Sequence, residues 1–316
     1  MIKLGIIGLG HMGGFHLSAS SSIIGVQIIG IADPSESNWE KVKNPKIIKT
    51  KNYNDWLGQV DGVIIATPTK FHYEIAKDCL SKGKHVLIEK PLTKNIEEAI
   101  ELFEIAKKNK LTLHIGHVER FNAAVQELKK VVSEPYLIES HRIGPFTARP
   151  KDDSVILDLM IHDLDIILNL VGSEVKEINN IGSKVATQMG DIAVVQIKFE
   201  NGVLANLTSS RISQIKKRTM SIHQKDAFIQ LDFTTQDINI YKCATDSSNV
   251  DEKGKELKYK QEGIIERLFV YKDNPLKLEI EHFVKSVKTG AKRINPAQDI
   301  KALQLALELE KCLINS

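Results

Sequence analysis

The 316-residue chain is poor in cysteine. Cys79, Cys243 and Cys312 are far apart, odd in number and without a C-x-x-C pair. That excludes a disulfide-stapled secreted domain and reads as reduced thiols in a cytosolic protein. No stretch reaches the ~18 uninterrupted apolar residues of a membrane helix. The most apolar one, 155–171, is broken by Asp158, His162, Asp163 and Asp165. An excess of one charge is missing too: 43 Lys and Arg stand against 40 Asp and Glu, a net +3. This balance argues against nucleic-acid binding. The N-terminus, MIKLGIIGLG, runs straight into a glycine turn without the small-residue cleavage site of a signal peptide. A cytoplasmic protein with no membrane partner is therefore expected. Internal repeats are absent. What is present is a chain 42% hydrophobic, long enough for about two domains at ~150 residues each. Its core needs no metal or bridge to fold.

The first third alternates short β-rich runs with helical stretches. Strands are expected at 2–7, 26–32, 47–49, 62–66, 85–89 and 111–115, and helices at 12–20, 72–81 and 95–108, the last capped by Asn95. GVIIA at 62–66 is a continuous apolar run, as a strand covered on both faces requires. This alternation implies a parallel, doubly wound sheet. Beyond about residue 120 the pattern changes. A helix at 123–132 leads to an extended run at 136–143. A long helix at 154–171 follows, ended by Gly172. Val195, Ile197 and Phe199 then alternate with polar residues, Asn201-Gly202 turns the chain, and Val203, Ala205 and Leu207 alternate back. Residues 227–233 alternate again. These features predict an antiparallel sheet with one open face. A polar loop is expected at 245–263, and two helices at 276–287 and 296–313 close the chain.

Gly8-Leu9-Gly10-His11-Met12-Gly13 is G-x-G-x-x-G directly after a strand and at the start of a helix, the context in which it signals dinucleotide binding. The first glycine allows a tight turn, and the second lets backbone approach a pyrophosphate at the helix N-terminus. Asp33, 20 residues beyond Gly13, ends the second strand. A carboxylate there bonds a ribose 2′-hydroxyl and repels a 2′-phosphate, which favours NAD over NADP. Thr67 and Pro68 follow the GVIIA strand at the ligand-binding edge. His72 either reaches the cofactor as well or simply opens the next helix.

Glu89-Lys90-Pro91 occupies the same edge one strand on, and both Glu89 and Lys90 are placed beside the cofactor. Proline biases Lys90 away from helical geometry and directs its ammonium toward the crevice. In the long helix, Asp158, His162, Asp165 and Asn169 fall within an arc of about 60° at 100° per residue, with Asp163 elsewhere. One polar stripe on an otherwise apolar helix lines water or a ligand. Asp158 and His162, at i and i+4, are close enough to touch, and a carboxylate beside imidazole raises its basicity. No third and fourth ligand with metal spacing stands out, so no metal is expected.

GLGHMG, Ala32-Asp33, ATPTKFH (66–72), EKP (89–91) and Asp158-x-x-x-His162 together resemble the Gfo/Idh/MocA oxidoreductase superfamily. The resemblance implies an α/β chain: an N-terminal Rossmann domain over 1–120 and a C-terminal α/β domain over 121–316. The second domain carries a large, mainly antiparallel, open-faced sheet that mediates a homodimer or homotetramer. The last helix is free to pack back on the first domain. Lys90, Asp158 and His162 correspond to the superfamily's catalytic lysine and Asp/His pair. GHVERFN (116–122), RIGPF (142–146), VILDLMIHDLDI (155–166) and NPLKLEIEHF (274–283) resemble nucleotide-sugar dehydrogenases such as those acting on C3 of UDP-N-acetylglucosamine. Such a substrate needs cations for its pyrophosphate. Arg120, Arg142, Arg149, Lys151, Arg211 and Arg218 are available, with Arg120 and Arg149 placed in the substrate site beside Lys90, Asp158 and His162. The expected activity is NAD-dependent oxidation of a sugar alcohol to a ketone, with either His162 or Lys90 as the base. A polyol dehydrogenase of the myo-inositol type is the alternative, and a non-catalytic NAD sensor a more distant one.

Overall fold

Strands followed by helices that return the chain produce a wholly parallel sheet from residue 2 to residue 116. In the computed structural model, which describes residues 1–147, 153–242, 247–250, 256–259, 263–290 and 296–314, that sheet has six strands. They are β1 (Ile2–Ile7), β2 (Val26–Ala32), β3 (Ile48–Thr50), β4 (Gly62–Ile65), β5 (His85–Glu89) and β6 (Leu113–Gly116), ordered β3-β2-β1-β4-β5-β6. The order reverses between β1 and β4, which opens a crevice beyond their carboxyl ends. The returning helices are α1 (His11–Ser21), the single turn α2 (Asn54–Leu57), α3 (His72–Ser81) and α4 (Ile96–Lys108). All four β4 residues are buried, as the GVII run required. Leu4, Ile6, Ile31, Ile64 and Leu87 pack on one face. Ile7, Val63, Ile65, Val86 and Ile88 pack on the other. On that second face the indole of Trp56, fully buried, lies directly over Gly5 and Gly30, where no side chain would fit.

The second sheet has eight strands. β7 (Leu137–Ile143), β8 (Val175–Ser183), β9 (Ile192–Phe199), β10 (Leu204–Ser210), β11 (Lys217–Gln224), β12 (Ala227–Asp232) and β13 (Asp237–Lys242) precede a separate two-stranded ribbon, β14 (Ser247–Val250) with β15 (Glu256–Tyr259). β16 (Ile264–Leu268) completes the order β16-β13-β12-β11-β7-β10-β9-β8. Only β7 and β10 pair in parallel. The loop expected at 245–263 thus contains strand pairing at its described positions, while Cys243, Arg149 and Lys151 lie outside the described residues.

Helices α5 (Ala123–Val131), α6 (Ile161–Val171) and α8 (Pro296–Ile314) lie with the covered side of this sheet, whose alternate residues, such as Val195, Leu207, Ile222 and Leu231, are buried. α7 (Pro275–Thr289) turns back to the first sheet and packs on α1 and β5. The last helix, α8, touches α4 but rests mainly on α6 and β8. The other side of the sheet is open. A cross-strand row of Ile265, Tyr241, Phe228, His223, Leu137 and Leu204 runs over it. Ile265 is 63% and Leu204 45% exposed. No described helix is long and apolar enough to cross a membrane.

The structure departs from the expected continuous helix at 154–171. Residues Ile156–Met160 form a π turn, and α6 begins only at Ile161. Asp158 sits inside that turn. π turns insert a residue into a helix and are frequent at functional sites.

Candidate active site

The glycine turn after β1 has the shape of a dinucleotide cradle. Gly8 adopts φ +88°, and a Cβ there would stand 2.7 Å from the Ala66 carbonyl oxygen. A Cβ on Gly13 would collide with the Gly8 carbonyl, so α1 can close onto the turn only with glycine at this position. A Cβ on Gly10 would meet nothing within 4 Å. The open space therefore lies where backbone would approach a pyrophosphate, at the start of α1 with His11 and Met12. At the end of β2, Asp33 is 6% exposed. Its Oδ2 accepts from Leu9 N at 2.6 Å, and its Oδ1 from Ser35 N at 2.8 Å and Asn38 Nδ2 at 3.1 Å. The carboxylate thus ties the glycine turn to β2 and keeps acceptor capacity for a ribose hydroxyl. These residues fit a nicotinamide dinucleotide.

Thr67 and Pro68 stand just beyond β4, with the Thr67 hydroxyl buried and unpartnered. His72 departs from the cofactor-contact expectation. It is 1% exposed, with Nδ1 2.9 Å from the Pro91 carbonyl and Nε2 2.9 Å from the Thr67 carbonyl. It braces the two loops that border the crevice. Glu89 is likewise spent on the scaffold, its Oε1 2.6 Å from His16 Nε2. Burial alone would raise the Glu89 pKa. The His16 hydrogen bond and the charges of His16 and Lys90 outweigh it and hold the carboxyl below its usual value. His16 was not singled out from the sequence. Its signal was its place three residues after Gly13, on the side of α1 turned to the sheet.

Lys90 leaves β5 through a cis bond to Pro91 and reaches into the second domain. Its ammonium donates to the Asp158 carbonyl and lies 3.2 Å from Asp158 Oδ1. Asp158 was expected to orient His162. Instead its carboxylate faces Lys90, and His162 Nδ1 is buried without a partner. The π turn accounts for this, because it removes the regular i,i+4 stacking between the two residues. The His162 pKa lies well below the ordinary histidine value, first through burial and then through the charges of Lys90, Arg142 and Arg218 and the neighbouring His117. The imidazole is therefore neutral at physiological pH.

The remainder of the expected stripe divides. Asp165, 1% exposed, takes a hydrogen bond from Arg120 Nε at 2.7 Å, and the Arg120 Nη2 bridges Asp165 and Asp299. Asn169 donates to the Asp165 carbonyl at 2.7 Å. Arg120, expected to meet substrate, is thus held by two carboxylates. Asp163, expected to point elsewhere, binds Arg142 at 2.7–3.1 Å, and Arg142 Nη1 reaches Glu119 at 2.8 Å. His117, Asp165 and Asp299 bring donor atoms within 4.8 Å of one another. The Arg120 guanidinium already supplies the cation between the two carboxylates. His117 and Glu119 lie in GHVERFN, a stretch read from the sequence as a family resemblance and for Arg120, with no role given to either residue. A separate cavity of 540 Å³ between α4, α7 and the start of α8 is lined by Ile100, Phe103, His282 and Ile300, and none of the crevice groups enter it.

Comparison with known proteins agrees with this geometry. A profile described as "Oxidoreductase family, NAD-binding Rossmann fold" matches residues 2–117, and one described as "GFO/IDH/MocA C-terminal domain" matches 115–230. The chain belongs to the GFO/IDH/MocA oxidoreductase family. The UDP-N-acetylglucosamine 3-dehydrogenase of Acidithiobacillus ferrooxidans is 36% identical over 76% of this chain and 77% of its own length. A solved structure of that dehydrogenase superposes with a TM-score of 0.87 at 30% identity, covering 99% of this chain and 98% of the other. The myo-inositol 2-dehydrogenase of Thermotoga maritima is 28% identical over 66% of this chain and 69% of its own length. This member of the GFO/IDH/MocA family is thus an oxidoreductase whose relatives are sugar and polyol dehydrogenases. The two profile matches meet at the end of β6, where the chain leaves the parallel sheet.

Proposed function

We propose that the protein oxidises a secondary alcohol of a sugar to a ketone with NAD⁺, and that the sugar is UDP-N-acetylglucosamine, converted to the 3-keto sugar. One observation carries the reading. The Lys90 ammonium, at the end of β5 in the nucleotide-binding sheet, touches Asp158 in the π turn that leads to His162. When bound, NAD⁺ accepts the hydride from the carbinol carbon. The chain has then to handle one proton and one oxygen. His162, neutral and buried, offers a lone pair and takes the hydroxyl proton as general base. Lys90 donates a hydrogen bond to the same oxygen and stabilises its developing negative charge. Asp158 balances the Lys90 charge and fixes the direction of the ammonium.

The similarity to UDP-N-acetylglucosamine 3-dehydrogenase supports the choice of sugar. The Asp33 carboxylate at the end of β2 supports NAD over NADP, because it would repel a 2′-phosphate. The free thiols of Cys79 and Cys312 suit a reducing cytoplasm. The apolar row on the open sheet face supports a homo-oligomer, and a monomer in sedimentation equilibrium would count against that part of the reading.

Initial rates of nicotinamide reduction with UDP-N-acetylglucosamine and with myo-inositol, each with NAD⁺ and NADP⁺, test the whole. The expected result is fastest turnover of the nucleotide sugar with NAD⁺. His162→Ala should lower kcat on the order of 10²- to 10⁴-fold while NADH still binds. Faster turnover of myo-inositol, or near wild-type turnover by the variant, overturns the reading.

A further inference from the structure

Among the described arginines considered for a phosphate, Arg120, Arg142 and Arg211 already face carboxylates. Arg120 is held by Asp165 and Asp299, and Arg142 by Asp163 and Glu119. Arg211, 4% exposed, donates Nη2 to the Asp153 carbonyl at 2.7 Å and faces Asp191 at 3.8 Å. Arg218 differs. It stands on β11 directly opposite Arg142 of β7, so both side chains leave the covered face of the second sheet. Met220 and Ile222, further along the same row, are fully buried. Arg218 lies at the end of that row and is only half-buried. Among the described residues its guanidinium makes no hydrogen bond and no ion pair.

Two arginines facing each other across adjacent strands are unfavourable unless each is balanced. Arg142 has two carboxylates in contact, whereas Arg218 has none. Burial and the Arg142 charge lower the Arg218 pKa, and the more distant charges of Glu119, Asp163 and Asp158 offset this only in part. It is a partly dehydrated cation whose five donors are unspent, an arrangement that costs free energy until an anion arrives. Its position next to the proton-transfer site is set by the same register. Arg142, its cross-strand partner, holds Asp163, the residue after His162. The Arg218 charge acts on both Asp158 and His162.

A sugar whose C3 hydroxyl sits at Lys90 and His162 has its anomeric carbon two ring carbons further on, just past C2. A phosphate attached there falls within a side chain's length of the reacting oxygen, and a guanidinium matches phosphate geometry bidentately. We propose that Arg218 receives the phosphate on the anomeric carbon of the substrate and so selects a phosphorylated sugar over a neutral one. The assignment rests on the sugar-oxidation reading above.

The test compares kcat and KM of the wild type, Arg218→Ala and Arg218→Lys on UDP-N-acetylglucosamine, N-acetylglucosamine 1-phosphate and neutral N-acetylglucosamine. Arg218→Ala should raise KM for the two phosphorylated sugars on the order of 10- to 100-fold, the worth of charge-assisted hydrogen bonds to phosphate. Its kcat should stay within about threefold, since the lost binding is common to ground and transition states. The neutral sugar should lose much less in kcat/KM than the two phosphorylated ones, and Arg218→Lys should recover part of the loss. A rise confined to UDP-N-acetylglucosamine places the recognised phosphate beyond the one next to the sugar and overturns the assignment. So does an equal loss on neutral and phosphorylated sugars, or no loss on either phosphorylated one. Calorimetric titration of UDP into the NADH-saturated protein gives a readout independent of turnover. Weaker UDP binding by Arg218→Ala is expected, and unchanged affinity overturns the assignment. If the wild type oxidises none of these sugars, the functional reading fails, while the UDP titration still decides the role of Arg218.

Discussion

Replacing Lys90 by methionine keeps an unbranched apolar stem and removes the ammonium, with its charge and its hydrogen bond to the Asp158 carbonyl. The Lys90 and Asp158 side chains are 14% and 33% exposed, so their attraction is partly screened. Losing the ion pair and the hydrogen bond together should cost about 1–2 kcal/mol, which in a chain of this length lowers Tm by about 2–4 °C. Activity should respond far more. An ammonium aimed at the reacting oxygen is worth about 10²- to 10³-fold in kcat, the usual loss when one such donor is removed. A second readout separates catalysis from mere support. On the proposed mechanism the active form of His162 is neutral, and its pKa is held well below 6.5 by burial and then by Lys90. Wild-type kcat/KM should therefore fall only at pH values well below 6.5. Without the ammonium, the imidazolium loses a like-charged neighbour, its pKa rises, and the acid limb moves to higher pH. Stopped-flow or steady-state rates of nicotinamide reduction across pH, with thermal melts of both proteins, supply the data. An unmoved acid limb would refute the claim that Lys90 borders His162. An undiminished kcat would remove Lys90 from the reacting oxygen.

Two glycines of the cradle should respond in opposite ways. Gly13→Ala places a Cβ against the Gly8 carbonyl and should destabilise the fold by about 2 kcal/mol or more in a urea titration. Gly10→Ala meets no protein atom, so it should unfold like wild type yet bind NADH more weakly by fluorescence titration; equal behaviour of the two would contradict the cradle. The buried His117 and Asp299 should cancel in the pH dependence of stability. His117, pushed down to about 4 by burial, is neutral in the fold. As pH falls from 6.5 to 4 its protonation favours the unfolded chain by roughly 3 kcal/mol. Asp299, pushed up to about 6 mainly by burial, takes its proton in the fold first and favours the native state by a similar amount over the same range. His117→Gln should thus gain stability on acidification and Asp299→Asn should lose it. Parallel urea-derived profiles for the two variants would rule out the offset.

The first sheet was legible because a parallel strand buried on both faces has few ways to be written other than as an apolar run, as in GVII of β4. Local chemistry was legible for the same kind of reason. Asn95 Oδ1 accepts from Glu98 N at 2.8 Å, Gly202 turns β9 into β10 at φ +89°, and Gly172 ends α6 at φ +62°. Elements whose pattern is broken by function or by an edge were not. β11 alternates, but its covered face carries Arg218 and Gln224 beside Met220 and Ile222, so no apolar period emerges. β16 is an exposed edge strand, where burial imposes no pattern. In α4 burial does not follow hydrophobicity alone. Ile100 is 41% exposed and Leu102 fully buried, because the helix answers to both α3 and α8.

The candidate site was legible in composition and much less so in pairing. Lys90, Asp158 and His162 could be named because an ionisable group at a buried strand end or on an apolar helix costs free energy unless a charge, a ligand or water meets it. Which carboxylate serves which cation is decided by the fold. Helical projection from 158 to 169 assumes 100° per residue, and the π turn breaks that count. Nothing within 156–160 announces the turn. Its start is held from outside, by Ser154 Oγ, which accepts from Ile156 N at 3.1 Å and donates to Glu310 of α8, 156 residues away. The same holds for the arginines. Counted along the chain, Arg120, Arg142 and Arg218 are equivalent cations. In the fold, Asp165 and Asp299 consume the first, Asp163 and Glu119 consume the second, and among the described residues no carboxylate pairs with the third. A cation becomes available to a ligand by being left out of such pairing, and that is a property of tertiary partners rather than of residue type.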